Sequence, residues 1–329
     1  GTNSFFRVSN QSPTISAAGI SILDTDNVGN LTLTVPQATS GPFKVSFVVS
    51  DNNGCLNASS TSEITSSVMS IYRSGATCST SGDYNTNNCY ASSSPNFTPF
   101  YSCAIDSAVN ACSGATDSDV GVTCTFSLWY NSDATDVGSQ FAAQNWLAAV
   151  RSTDDNASSS PVTVSASGND LTQFLAFDVS TTTVAYGSLQ PGETTTPLIA
   201  NTDLKAVGNV GLDEDVYGST MCTTWTTNGG GASPDNCDAG GPNAGTKIPV
   251  GQQRVATSSI AYASTDTFQL TASTSPTSVL INVQKTTSST TPQTKNTYWG
   301  IAIPSTITLA GNYNGQNTII GKTSNVANW

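Results

Sequence analysis

Between residues 120 and 130 every second position carries an apolar or cysteine side chain: Val120, Val122, Cys124, Phe126, Leu128 and Tyr130. Successive side chains of a β-strand point to opposite faces, so this pattern dictates a strand buried on one face; a helix would scatter the same six residues around its circumference. Phe43, Val45, Phe47 and Val49 repeat the pattern, interleaved with Lys44 and Ser46 and followed by the turn-forming Asp51, Asn52, Asn53 and Gly54. Leu175, Phe177 and Val179 do so again, as do Val279, Ile281 and Val283. Helical spacing is nearly absent, residues 139–151 being the best candidate for one or two turns before Trp146. The expected fold class is all-β.

Composition decides whether such strands can close a core. Apolar residues are 37% of the chain and charged residues 10%, the reverse of the balance that keeps chains disordered. With 329 residues, two domains with separate cores are expected. The polar run Asp154, Asp155, Asn156, Ala157, Ser158, ahead of Pro161, reads as the boundary. The organisation expected is an N-terminal strand over residues 1–10, a disulfide-rich domain over 11–157 and a second domain over 158–329. Short strands separated by turns suggest two immunoglobulin-like β-sandwich domains with disulfide-stapled loops, strand order being left open.

The cysteines are even in number, none forms a C-x-x-C pair, and the chain has no histidine to complete a mixed zinc site. Disulfides are therefore expected, and with them an oxidising, extracellular setting. Cys222 and Cys237 are alone in the second half and should pair across a short glycine-rich loop. The six in the first half allow 15 connectivities. Local bridges Cys78 to Cys89 and Cys103 to Cys112 are favoured, leaving Cys124 to meet Cys55 across the sandwich.

Net charge is −12, and the ten basic residues are scattered from Arg7 to Lys322. Nucleic acid and anionic membranes both need a concentrated basic face, so neither is an expected partner. No apolar run approaches the about 18 residues of a membrane span. The chain is read as an exported form already processed, beginning at Gly1.

Without histidine there is no ordinary general base to activate a serine or cysteine nucleophile. Asp117 with Asp119, Asp133 with Asp136, and Asp213 to Asp215 provide acids of the kind glycoside hydrolysis uses, but aspartates of this sort commonly mark turns. No enzyme activity and no cofactor are expected. The stretch Asp24, Thr25, Asp26, Asn27, Val28, Gly29 resembles the opening of a calcium loop. Val28 and Val35 stand where that loop needs oxygen ligands, so a hairpin turn between residues 20–23 and 31–35 is the simpler reading. Asn10, Asn30, Asn57, Asn96 and Asn156 each begin an Asn-x-Ser/Thr triplet and are candidate N-glycan acceptors, all in the first half.

Ser50 to Cys55 (SDNNGC), the strand Cys124 to Tyr130 with Asp133-Ala134-Thr135-Asp136 and Trp146 behind it, Leu175 to Gly192 (LAFDVSTTTVAYGSLQPG) and Tyr298 to Pro304 (YWGIAIP) resemble exported proteins of archaea and of uncultivated small-genome bacteria. The resemblance covers about half of the chain. It implies a secreted β architecture and brings no catalytic residues with it.

In design, the chain is similar to donor-strand-assembled filament subunits, in which the N-terminal strand of one copy completes a sheet of the next. Thr2 to Asn10 (TNSFFRVSN) suits that role, with Phe6 and Val8 on the inserted face and Phe5 left for the subunit interface. The expected function is a structural subunit of a cell-surface filament or pilus-like polymer, with copies of itself as partners. The alternative is an adhesin or carbohydrate-binding module in which Tyr84, Tyr90, Phe97, Phe100 and Tyr101 stack on sugars.

Overall fold

The computed structural model of the chain describes residues 9–57, 59–94, 96, 101–114, 116–223, 237, 247–272 and 275–329. They form an all-β protein of two compact units. One ends at Phe174 and also takes in Thr287–Thr290; the other comprises Leu175–Thr286 and Thr291–Trp329.

The first unit contains β1 (Thr14–Ile15), β2 (Ser21–Leu23), β3 (Thr39–Ser50), β4 (Ile64–Arg73), β5 (Cys89–Tyr90), β6 (Tyr101–Ile105), β7 (Asp119–Trp129), β8 (Trp146–Asp154) and β9 (Thr163–Val164). One sheet runs β1-β3-β7-β6, with β2 also pairing β3, and the other runs β5-β4-β8-β9; all pairings are antiparallel. Each sheet turns one face to a shared core, which makes the unit a sandwich. Phe43, Val45, Phe47 and Val49 of β3 and the alternating residues of β7 meet Met69 and Ile71 of β4 and Trp146, Ala148 and Val150 of β8. Side chains of this size each contribute about 2–3 kcal/mol when fully buried. At Gly41, where β3 and β7 slip register, a Cβ would stand 2.8 Å from the Phe126 carbonyl oxygen, so only glycine fits.

Four expectations are corrected here. Residues 146–154 form a strand, because Trp146, Ala148, Val150, Ser152 and Asp154 alternate inward along β8. The polar run 154–158 is no linker: it is the turn between β8 and β9, closed by Asp154 N–H to Ser158 O at 2.9 Å. The boundary moves from 157 to 174 because Leu171, fully buried in the first core, bridges Leu31. That bridge also removes the hairpin expected around Asp24 to Gly29, since β2 pairs with β3 and not with residues 31–35.

The second unit contains β10 (Phe177–Asp178), β11 (Ala200–Ala206), β12 (Leu212–Gly218), β13 (Met221–Cys222), β14 (Lys247–Ile248), β15 (Gln253–Ala256), β16 (Phe268–Gln269), β17 (Thr277–Val283), β18 (Gln293–Ile301) and β19 (Asn317–Thr323). Its sheets are β10-β11-β18-β15-β16 and β17-β12-β19, with β13-β14 as a separate ribbon. Val216 and Val279 from the three-stranded sheet pack with Val255 and Trp299 from the five-stranded one. Val279, Ile281 and Val283 are buried as expected. Leu175 and Phe177 are not: they are 42% and 37% exposed, and only Phe177–Asp178 of that segment pairs as a strand.

Candidate functional site

β19 pairs with β12 on one side and with no strand on the other among the described residues, so half of its backbone groups point outward unpaired. A groove of about 540 Å³ lies beside it, lined by Asn317, Ile319, Val184, Tyr186, Thr202 and Trp299, and Asn317 Nδ2 donates to the Tyr186 hydroxyl at 3.5 Å. A second groove, of about 640 Å³, adjoins it, sharing Val184, Tyr186 and Met221 and adding Leu189 and Ile303.

The segment at residues 181–189, which lines both, belongs to no sheet among the described residues. Its start is anchored by Asp203, whose carboxylate accepts from Ser180 Oγ at 2.5 Å and from the Thr181 N–H at 2.8 Å. Burial raises the Asp203 pKa, but these hydrogen bonds and Lys205 outweigh it and hold the carboxyl at about 2. From residue 182 to 189 no backbone group hydrogen-bonds to another backbone group among the described residues. Val184 and Tyr186 nevertheless turn inward at strand spacing and pack beside Trp299 and Val255. The Tyr186 hydroxyl donates to Gln253 Oε1 at 3.0 Å, and burial pushes its pKa up. Gly187, at φ +78°, ends the alternation. The walls thus offer apolar side chains and neutral amides and hydroxyls, with unpaired backbone alongside, which is the chemistry that accepts an extended strand.

Phe6 and Val8, expected to fill an acceptor groove, and Phe5, expected at the subunit interface, lie outside the described residues, as do Phe97 and Phe100. Tyr84 and Tyr101 pack against the first core, and Tyr90 is fully buried with its hydroxyl bonded to Thr86 O, Ser132 Oγ and the Trp129 N–H. Tyr90 therefore offers no sugar a stacking face. Asn30, Asn96 and Asn156 are exposed. Asn10 is half-buried and commits its Nδ2, the atom a glycan would need, to Asp154 and Ser158 at 2.8 and 2.9 Å. Asn57, also half-buried, uses Oδ1 to hold Ser59 and Thr61.

All eight cysteines are bridged. Cys222–Cys237 and Cys78–Cys89 form as expected. The other two pairings are corrected to Cys55–Cys112 and Cys103–Cys124. β6 sets Cys103 directly across from Cys124 on β7, so inward-facing Cys124 is taken by its own sheet and not by Cys55. Cys55 is held against the loop before β7, its N–H on Asp117 O at 2.7 Å, which brings it to Cys112. Sequence spacing carries no trace of that register.

The acids considered for catalysis are engaged structurally. Asp133 pairs with Arg73 at 3.0 Å, Asp117 accepts from Ser113, Asp213 from the Asn282 N–H, and Asp215 from Lys322. No family model matches the chain, and no curated protein matches it. Among solved structures, the secreted serine protease VesC from Vibrio cholerae aligns with 93% of this chain and 51% of that one, at 10% identity and a TM-score of 0.18. This chain thus spans about half the length of that protein, and a likeness so slight carries no argument about fold or activity. The sequence reading missed the β19 groove because the lining comes from separated segments and because residues 182–189, rich in Thr, look like any surface loop.

Proposed function

We propose that the chain is a structural, non-catalytic subunit of an extracellular cell-surface filament, in which residues 2–9 of one copy, ahead of the Asn10 that its own unit holds, add to the β19 edge of the next. The observation that carries this reading is the groove beside β19, lined by that edge strand and by residues 182–189, which make no backbone–backbone hydrogen bond among the described residues. A donated strand gains ladder hydrogen bonds from the edge while Phe6 and Val8 enter the groove beside Ile319, Val184 and Tyr186. On the opposite face Phe5 then lies beside the outer face of β19, where Ile320 is 44% exposed. The contact is heterologous, each copy donating one way and accepting the other, so an open polymer follows unless the rotation closes a ring.

Four disulfides fit a protein of an oxidising, extracytoplasmic compartment. No helix among the described residues is long and apolar enough to cross a membrane. The absence of histidine and the structural engagement of the candidate acids support a non-catalytic role. Exposed Asn30, Asn96 and Asn156 suit glycan attachment better than Asn10 does.

Electron microscopy of the purified chain beside a variant lacking residues 1–10 tests the proposal. Filaments are expected from the full chain, and folded, dispersed or irregularly clumped subunits from the variant. Dispersed monomers from both, or filaments of the same form from both, would overturn it.

A further inference from the structure

Where β3, β4 and β8 end, the first unit gathers four carboxyl groups. Asp51 follows β3, Glu63 precedes β4, Asp154 closes β8 and Asp155 follows it. Asp51, Glu63 and Asp154 are almost fully buried, at 1%, 4% and 1% exposure, while Asp155 is exposed on the turn. Burial first, and then the neighbouring Asp155, Asp51 and Asp154, push the proton affinity of Glu63 up. Asp51 is raised in the same way, by burial first and then by Asp154 and Asp155. No lysine or arginine forms an ion pair with any of the four among the described residues.

The decisive atom is Asp51 Oδ2. Its partner oxygen Oδ1 accepts the Asn53 N–H at 2.8 Å, but Oδ2 is buried with no hydrogen-bond partner, in a carboxylate repelled by its acidic neighbours. Asp154, by contrast, is used on both oxygens: Oδ1 takes the N–H groups of Asn156 and Ser158, and Oδ2 takes Asn10 Nδ2. Burying carboxylates without a counter-charge costs several kcal/mol each unless they take up protons or a cation.

We propose that Asp51, Glu63, Asp154 and Asp155 form a binding site for a divalent cation, calcium. The donors are all oxygens, which suits a hard cation, and no imidazole or thiolate is present to favour zinc or copper. Calcium tolerates irregular coordination, whereas magnesium demands near-ideal octahedral geometry. Among the described residues no three of these side chains yet stand at ligand distance around one point, so binding draws the exposed Asp155 inward over Asp51 Oδ2. The bound ion ties the ends of strands from both sheets together, next to the Cys55–Cys112 bridge and to Asn10, where the N-terminal segment meets the unit.

Calorimetric titration of the chelator-treated full chain with calcium at neutral pH, paired with thermal unfolding, tests this. One calcium per chain is expected, with a rise in Tm on the order of 5 °C at saturation. Asp51→Asn and Glu63→Gln should abolish both effects. Because Asp155 is exposed, Asp155→Asn should fold normally and weaken binding at least about tenfold, while Asp26→Asn, in the separate loop at residues 24–29, should change nothing. Absence of calcium binding in the unaltered chain, or binding kept in Asp155→Asn and lost in Asp26→Asn, would overturn the assignment.

Discussion

Glu214 carries a carboxyl group into the core of the second unit, on the face of β12 that also presents Leu212 and Val216. Thr297 Oγ1 donates to its Oε1, while Oε2 has no partner. Burial pushes its pKa up to about 7, the Thr297 bond opposing this and Asp213 adding to it. Between the ordinary carboxylate range and about pH 7 the folded chain therefore keeps a proton on Glu214 that the unfolded chain has released. The folded state binds more protons, so stability falls as pH rises through that window and levels off above it. The full effect is on the order of 3 kcal/mol for a shift of this size. Glu214→Gln, which cannot ionise, should lose that part of the slope, as read from denaturant unfolding at pH 5 and pH 8 without calcium. An unchanged difference between the two pH values would show that Glu214 stays ionised when folded. The sequence shows only an acidic triplet, Asp213, Glu214, Asp215; that its middle member faces the core follows from the inward register of β12, which the triplet itself conceals.

At the scale of elements, strands whose inward residues are large and apolar were legible and strands with small or polar inward residues were not. β3 and β7 are visible because Phe, Val and Leu alternate with Ser, Thr and Lys. β8 is hidden because Ala148 and Ser152 occupy inward positions and Leu147 an outward one, which blurs the period. The same limit governs the disulfides. Local spacing was enough for Cys78–Cys89 and Cys222–Cys237, but Cys103–Cys124 depends on the β6–β7 register. Peptide mapping without reductant should recover Cys55–Cys112 and Cys103–Cys124 and no free thiol. Recovery of Cys103–Cys112 would mean that β6 is not paired with β7 in this register. Removing Cys103–Cys124 should cost about 2–4 kcal/mol, as is usual for a native bridge.

For the whole molecule, the all-β class and the presence of two units were readable from alternation, length and cysteine content. The boundary was not, because a hairpin turn and a linker share the same polar residues, and only the burial of Leu171 distinguishes them. The groove beside β19 was not readable either, since β19, residues 182–189 and β18 contribute to it from distant parts of the chain. A net charge of −12 keeps free copies apart, so the proposed polymer requires a specific strand-to-edge contact. That contact is open to direct measurement, because every native cysteine is bridged and introduced thiols stand alone. Arg7 and Thr318 share the outward face if residues 2–9 lie along β19, so Arg7→Cys and Thr318→Cys combined in one chain should be joined by a short thiol-reactive cross-linker. The account predicts a ladder of dimers, trimers and longer species on a denaturing gel, with the 7–318 link joining isotopically distinct copies in a mixed sample. A 7–318 link found only within single chains, or no ladder at concentrations where the chain associates, would contradict strand donation to β19.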